Sequence, residues 1–107
     1  MNARPKASTF LAVFLLLAFV VNASFAQSAS IQGTVFDEQT GDELVGAHVV
    51  LKGTSLGSAT NFDGKYLIPN VKPGTYVIEA GYIGYASITD TLVISPGVDI
   101  VRDFELV

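Results

Sequence analysis

Residues 53–76 read GTSLGSATNFDGKYLIPNVKPGTY, a stretch in which extended segments alternate with turn-forming residues. The β-prone residues 58–60 and 65–68 flank the turn formers Asn61-Phe62-Asp63-Gly64. Asp-Gly between two β-prone runs is among the stronger short-range hairpin signals, because Gly accepts a positive φ without steric cost. The stretch therefore predicts a β-hairpin, around which the other strands are arranged.

Proline and glycine divide the rest of the chain into short segments. Pro69, Pro73 and Gly74 are expected to break the chain after the hairpin. No segment after residue 26 shows a convincing apolar period of 3.6 residues, so the segments are predicted to be strands of a β-sandwich. The predicted strands are residues 30–37, 47–52, 58–60, 65–68, 75–80, 86–94 and 98–107.

The first 26 residues have the pattern of a secretory signal peptide. Arg4 and Lys6 supply positive charge, residues 10–21 are an unbroken apolar run, and small residues at positions 24 and 26 offer a cleavage site before Gln27. A membrane-spanning helix needs about 20 apolar residues, which this run does not reach. A lipoprotein anchor is excluded because the chain has no Cys. We predict a signal peptide over residues 1–26, its removal on export, and one domain over residues 27–107.

Charge and size restrict what residues 27–107 can do. They keep all ten acidic residues of the chain but only four of its six basic ones, which gives a formal charge of −6. This balance argues against nucleic acid or anionic lipid as a partner. The length allows one small domain, and without Cys its stability has to come from an apolar core and from ladder hydrogen bonds.

Several short motifs, taken in order, resemble the carboxypeptidase regulatory-like domain, a transthyretin-like β-sandwich of seven strands. The resemblance covers essentially all of residues 27–107. Each piece alone is a common turn or strand, whereas the ordered set is fairly specific. The set is Gly33-Thr34-Val35 with Asp37, Thr40-Gly41 with Leu44, Gly46-Ala47-His48-Val49, Gly53-Thr54, Gly57 with Thr60, Asp63-Gly64-Lys65-Tyr66, Pro73-Gly74-Thr75-Tyr76 and Ile83-Gly84-Tyr85.

The resemblance implies a location and a role. Such domains commonly lie at the N-terminus of SusC-like, TonB-dependent outer-membrane receptors, directly after a signal peptide, which places this one in the periplasm or at the outer membrane. It implies a monomeric, non-catalytic accessory or docking domain, either joined to a following receptor plug and barrel or contacting a protein partner. The alternative is a free-standing exported module that binds a carbohydrate or a peptide. Whether the chain, which ends at Val107, is a fragment stays open.

Catalytic and metal-binding chemistry is not expected. The only histidine, His48, cannot supply the pair of histidines of a typical zinc peptidase centre, and there is no Cys nucleophile. We expect His48 to be a solvent-facing strand residue. Asn61 and Asp63 lack the alternating acids and the later Glu of a calcium-binding loop. The sequence therefore predicts no catalytic residue, no cofactor and no metal site.

Tyr82 and Tyr85 form the one aromatic cluster that suggests a function. Exposed aromatic rings can stack on a sugar or contact a peptide, so both residues are candidates for a contact surface. The alternative, which we favour, is that one ring covers the end of the sandwich while its hydroxyl bonds nearby backbone. The residues predicted to shape structural turns are Gly41, Asp63, Gly64, Pro73, Gly74 and Gly84.

Overall fold

The computed structural model describes residues 27–107, which form eight β-strands and no helix. No helix long and apolar enough to cross a membrane occurs among these residues. The predicted signal peptide lies outside the described residues. The strands are β1 (Ala29–Asp37), β2 (His48–Leu51), β3 (Gly57–Ala59), β4 (Lys65–Val71), β5 (Gly74–Gly81), β6 (Ile88–Ile94), β7 (Ile100–Val101) and β8 (Phe104–Leu106).

The strands form two sheets, which confirms the predicted all-β sandwich. In the first sheet, β1 pairs with β4 on one side and with β7 and then β8 on the other. The second sheet has the order β3-β2-β5-β6. All pairs are antiparallel except those of β7 and β8, which run parallel to β1. β1 and the β2–β5 pair are therefore the central strands, and β6 is an edge strand.

The core lies between the two sheets and is built by alternation along the strands. In β2 and the residue before it, Ala47, Val49 and Leu51 are fully buried while His48 is exposed, as the sequence pattern predicted. Burying such side chains contributes on the order of 25 cal/mol per Å² of apolar surface. The largest fully buried side chains are those of Ile31, Leu51, Ile68, Ile78, Leu106, Val35, Val49 and Val71.

The predicted hairpin around Asp63 and Gly64 is wrong, although the turn itself exists. β3 pairs with β2 and β4 pairs with β1, so the turn carries the chain from one sheet to the other. The side-chain oxygen of Asn61 accepts the backbone N–H groups of Asp63 (2.9 Å) and Lys65 (3.0 Å), and Gly64 has a φ of 70°. An Asx turn of this kind is a local structure. It reverses the chain whether or not the flanking strands pair with each other.

Pro69 does not end the strand, contrary to the prediction. β4 continues to Val71, and its register against β1 shifts between the pairs Ile31↔Ile68 and Ala29↔Val71. Between these pairs β4 has one residue more than β1, and the interval contains Pro69 and Asn70. Asn70 has a φ of 59°. This is a β-bulge on an edge strand, where a missing N–H does not interrupt the ladder.

The predicted final strand, residues 98–107, is interrupted at Arg102 and Asp103, so it forms the two strands β7 and β8. At the break, the carbonyl oxygen of Arg102 lies directly against Gly33. A Cβ atom added to Gly33 would be only 1.8 Å from this oxygen. The Tyr66 hydroxyl donates to that oxygen at 2.6 Å, and the Asp103 carboxylate accepts the N–H of Thr34 at 2.8 Å. The Tyr66 hydroxyl and the Asp103 carboxylate thus provide hydrogen bonds in place of the ladder bonds that a continuous strand would make. The preceding strand also begins later than predicted, at Ile88 rather than at residue 86.

Candidate functional site

The predicted contact residues lie at one end of the sandwich, which we call the tyrosine end. It consists of residues 38–47, 60–64, 82–87 and Val107. Backbone hydrogen bonds join its parts. The N–H of Gly46 donates to the carbonyl of Thr60 at 3.1 Å, and the N–H of Ala86 donates to the carbonyl of Val107 at 2.8 Å. The loops at 52–56, 72–73 and 95–99 lie at the opposite end.

The loop between β5 and β6 is short and closes on itself. The N–H of Tyr85 donates to the carbonyl of Tyr82 at 3.0 Å, and Gly84 has a φ of 88°. A positive φ at this position favours glycine. The rings of Tyr82 and Tyr85 lie 5.8 Å apart between centroids and are tilted by 58°. The structure therefore brings the two predicted contact residues together, and both are half-buried against the core.

The hydroxyl of Tyr85 has a more specific partner than the predicted backbone group. It donates to Asp37 Oδ2 at 2.6 Å, while Asp37 Oδ1 accepts the N–H groups of Gln39 (2.8 Å) and Thr40 (3.0 Å). The hydrogen bond from Tyr85 and the two backbone bonds lower the pKa of Asp37, because they favour its charged form. The same bond to the carboxylate raises the pKa of the Tyr85 hydroxyl. Tyr85 thus ties the 82–85 loop to the turn that follows β1.

The most exposed apolar side chains at this end were missed by the sequence reasoning. Ile83, between the two tyrosines, is 95% exposed, and Phe62, in the turn before Gly64, is 91% exposed. Large apolar side chains at the tips of Gly-containing turns cannot reach the core, and that position was the available signal. Exposed apolar side chains of this kind can mark a protein contact surface, although single ones are also common.

Acidic residues are frequent in the turns at this end of the sandwich. The last residue of β1, the turn after it and the turn before β4 carry five carboxylates, namely Asp37, Glu38, Asp42, Glu43 and Asp63. No group of three metal-ligating side chains able to hold an ion occurs among residues 27–107. His48 lies on β2 opposite Gly81, where an added Cβ would be 2.6 Å from the imidazole ring.

The predicted turn residues have different surroundings. Gly41, Gly74 and Gly84 have positive φ values and exposed positions, and Pro73 lies between β4 and β5. Gly64 is buried, and an added Cβ there would be 2.8 Å from the Cβ of Glu43.

Thr60 organises the tyrosine end from inside, and its role was not predicted. Its buried hydroxyl donates to the carbonyl of Leu44 and accepts the N–H of Ala47 at 2.9 Å. Its own N–H donates to the carbonyl of Ala47 at 2.8 Å. One side chain thereby holds residues 44–47 against the turn that leads to Gly64.

A concave feature lies at the break between β7 and β8, apart from the tyrosine end. It is an open depression of about 370 Å³ lined by Gln32, Gly33, Thr34, Lys65, Tyr66, Val101 and Asp103. Its carboxylate, that of Asp103, already accepts the Thr34 N–H, and burial raises the pKa of the Tyr66 hydroxyl. These groups serve the break in the strand, and we assign no ligand to the depression.

A comparison with known families identifies the class of this domain. The sequence profile of the CarboxypepD_reg-like domain matches residues 31–106, from the first half of β1 to the end of β8. The chain therefore belongs to the CarboxypepD_reg-like domain family, as its motifs predicted.

Curated relatives connect this family membership to receptors. The chain is 41% identical over 84 residues to the TonB-dependent receptor P39 of Formosa agariphila and 37% identical over 78 residues to the TonB-dependent receptor SusC of Bacteroides thetaiotaomicron. The alignments cover 78% and 71% of this chain but only 8% of either receptor. The chain thus corresponds to a small part of these relatives.

Solved structures show the same architecture. A protein from Bacteroides uniformis, described as a candidate carbohydrate binding protein, superimposes with a TM-score of 0.57 at 26% sequence identity. The superposition covers 75% of this chain and 41% of that one. It agrees with the β-sandwich seen here.

Proposed function

We propose that this domain is a non-catalytic accessory and docking domain of a TonB-dependent receptor, and that it acts through contacts at the tyrosine end. The observation that carries the proposal is its similarity to two TonB-dependent receptors at 37% and 41% identity. The geometry suggests the surface. Ile83 is almost fully exposed on a loop that the Tyr85–Asp37 hydrogen bond braces against the body of the sandwich.

The chemistry of the described residues supports a role without catalysis. The imidazole of His48 packs on Gly81, and the carboxylate of Asp37 is engaged by three donors. Within residues 27–107, every buried polar side-chain atom has a hydrogen-bond partner. Active sites tend to hold perturbed or under-satisfied groups in a cleft, so this arrangement favours a structural and contact role.

The proposed location is the periplasmic face of the outer membrane, reached by export with cleavage after Ala26. The leader pattern of residues 1–26 and the receptor relatives support it. N-terminal sequencing of the exported protein should give Gln27 as the first residue. A mature protein that still begins at Met1 would contradict this part of the proposal.

A receptor chimaera tests the docking role. Residues 27–107 replace the matching 78-residue region of the Bacteroides thetaiotaomicron receptor, and TonB-dependent nutrient uptake is measured. We expect the chimaera to support uptake and Ile83→Asp to reduce it by about tenfold, because a charge cannot be buried unpaired in an apolar contact.

Val98→Asp is the matched control, since Val98 is an exposed valine at the opposite end of the sandwich. It should leave uptake unchanged. If deleting the whole domain leaves uptake intact, the docking role is wrong. If Ile83→Asp and Val98→Asp behave alike, the contact surface lies elsewhere.

A second candidate function is a carbohydrate-binding module. The 26% identity to the Bacteroides uniformis protein favours it, together with the pair of tyrosines. Against it, the two rings are tilted against each other and half-buried, so they do not present two parallel open faces for stacking. A glycan microarray with the wild type and Tyr82→Ala decides the point. Glycan binding that Tyr82→Ala abolishes would favour this function.

A further inference from the structure

The two sheets have four edges, and three of them are poor templates for another strand. β3 has only three residues, β4 contains Pro69 and a bulge, and the β7–β8 edge is broken at Arg102 and Asp103. β6 differs from all of them. It has seven residues without Pro, Gly or bulge, and it pairs in continuous register with β5 alone. An edge strand of this kind offers unpaired backbone groups.

The hydrogen bonding of β5 reveals which backbone groups of β6 point outward. The carbonyl of Val77 accepts the N–H of Lys52 at 2.8 Å, so the backbone polar groups of Val77 face β2. Val77 is paired with Thr91, which therefore directs its own N–H and C=O away from β5. By alternation, Thr89 and Val93 do the same. The open edge thus presents three residues, and their side chains are also exposed.

The centre of this edge is guarded. Asp90 Oδ1 accepts the N–H of Thr91 at 2.8 Å, and the same carboxylate forms an ion pair with Arg102 of the other sheet. Charged groups at an edge are a known device against unwanted strand pairing. Among residues 27–107, Thr89 and Val93 make no backbone hydrogen bond outside their own sheet. Their outward N–H and C=O groups, on either side of Asp90 and Thr91, are therefore open to a partner strand.

We propose that the β6 edge, residues 88–94, receives an extended, uncharged or basic segment of a partner protein as an added strand. The backbone of that segment pairs with Thr89 and Val93, and the absence of acidic side chains avoids repulsion by the acidic domain. Strand addition of this type gets its affinity from main-chain hydrogen bonds. The β-branched side chains of Thr89, Thr91 and Val93 fit the face of such an extended sheet.

Charge argues for this occupant over a second copy of the chain. Residues 27–107 carry a formal charge of −6, so two copies repel each other, whereas an uncharged or basic segment is not repelled. The proposal deepens the docking role above and rests on it only for the existence of a partner, because β6 is distinct from the tyrosine end.

The probe is a synthetic peptide, TVKVTVT, acetylated and amidated. It is added to the protein that is produced with its own leader and purified after export. Backbone amide exchange is followed by NMR. At saturating peptide, exchange at Thr89 and Val93 should slow by about tenfold or more, because their N–H groups become hydrogen-bonded. A peptide with N-methyl groups on alternate residues should not bind, and TVEVTVT should bind about fivefold more weakly.

Val93→Pro is the decisive variant. It removes an N–H that β5 does not use, and edge strands tolerate Pro at such positions. The affinity for TVKVTVT should fall by about tenfold or more, whereas Val93→Ala, which keeps the N–H, should change it by less than about twofold. Peptide binding that is unchanged in a folded Val93→Pro variant overturns the proposal, as does protection that arises on β4 instead. If Val93→Pro does not fold, unimpaired binding of the N-methylated peptide to the wild type overturns it equally.

The two proposals fail separately. An Ile83→Asp chimaera that transports normally contradicts the tyrosine end as a docking surface but leaves the peptide result untouched. A domain that ignores the peptide contradicts the β6 edge while uptake still depends on Ile83.

Discussion

Two glycine turns at the same end of the molecule have similar positive φ values and opposite surroundings. Gly64 and Gly84 have φ values of 70° and 88°. Gly64 is buried, with Glu43 and the carbonyl of Val35 close to where a side chain would be, whereas nothing lies within 4 Å of that position at Gly84. The comparison separates two reasons for a glycine. At Gly84 the conformation alone requires it, and at Gly64 packing requires it as well.

The largest effect is expected for Gly64→Val. A β-branched residue at positive φ is strained by about 1–2 kcal/mol, and overlap with Glu43 and Val35 adds about 1–3 kcal/mol more. We expect a loss of about 3 kcal/mol, and with it a fall in Tm of more than about 10 °C in a domain of this size. Thermal unfolding followed by circular dichroism measures it. A loss as small as that of Gly84→Val would remove the distinction between the two turns.

The second-largest loss of stability is expected for Thr60→Val, because it removes the buried hydroxyl that holds residues 44–47 next to the Gly64 turn. The variant leaves the carbonyl of Leu44 and the N–H of Ala47 without their partner in a buried site. Such groups cost about 1–3 kcal/mol to leave unpaired, so we expect a loss of about 2 kcal/mol in denaturant unfolding. Thr60→Ser keeps the hydroxyl and serves as the control. A Thr60→Val variant as stable as Thr60→Ser would show that the hydroxyl is dispensable.

Gly84→Ala tests the open turn and should cost less. With free space around the new methyl group, only the positive φ opposes the change, by about 1 kcal/mol. The same substitution at Gly64 should cost more, because its Cβ would lie 2.8 Å from that of Glu43. Comparing the two alanine variants by their midpoints in urea gives the packing contribution directly. Equal losses would mean that Glu43 moves away at little cost.

The smallest effect is expected for Tyr85→Phe, which removes the bond that braces the open turn but keeps its ring. Because the pKa of Asp37 is lowered in the folded state, its carboxylate stabilises the fold at pH values above the ordinary carboxyl pKa of about 4. This contribution is lost as the pH falls through the lowered pKa. Because the pKa of Tyr85 is raised in the folded state, its protonated hydroxyl contributes its full stabilisation below about pH 10. This contribution is lost as the pH rises through the raised pKa.

The Tm difference between wild type and Tyr85→Phe should therefore be constant near neutral pH and shrink below about pH 4 and above about pH 10. Tyr82→Phe, which leaves the bond between Tyr85 and Asp37 in place, should show no such profile. A Tyr85→Phe difference that does not change with pH would mean that the hydrogen bond does not couple to either titration.

The candidate site was predictable in part. The spacing of Tyr82 and Tyr85 beside glycines marked both residues as a cluster, and the structure places their rings 5.8 Å apart. The hydroxyl partner of Tyr85 was not predictable, because Asp37 lies 48 positions away in the sequence. The exposure of Ile83 and Phe62 was missed as well, since apolar residues in β-rich sequences are normally assigned to the core.

For this protein the sequence by itself determined the local features: the alternation that buries Ala47, Val49 and Leu51, and the turn formed by Asn61 and Gly64. These depend on residues close together in the chain. Only the tertiary structure decided that the strands flanking that turn belong to different sheets, and that the last strand breaks at Arg102 where Gly33 leaves room for its carbonyl. Strand partners and close backbone contacts are set by packing between residues far apart in sequence, and no local pattern encodes that packing.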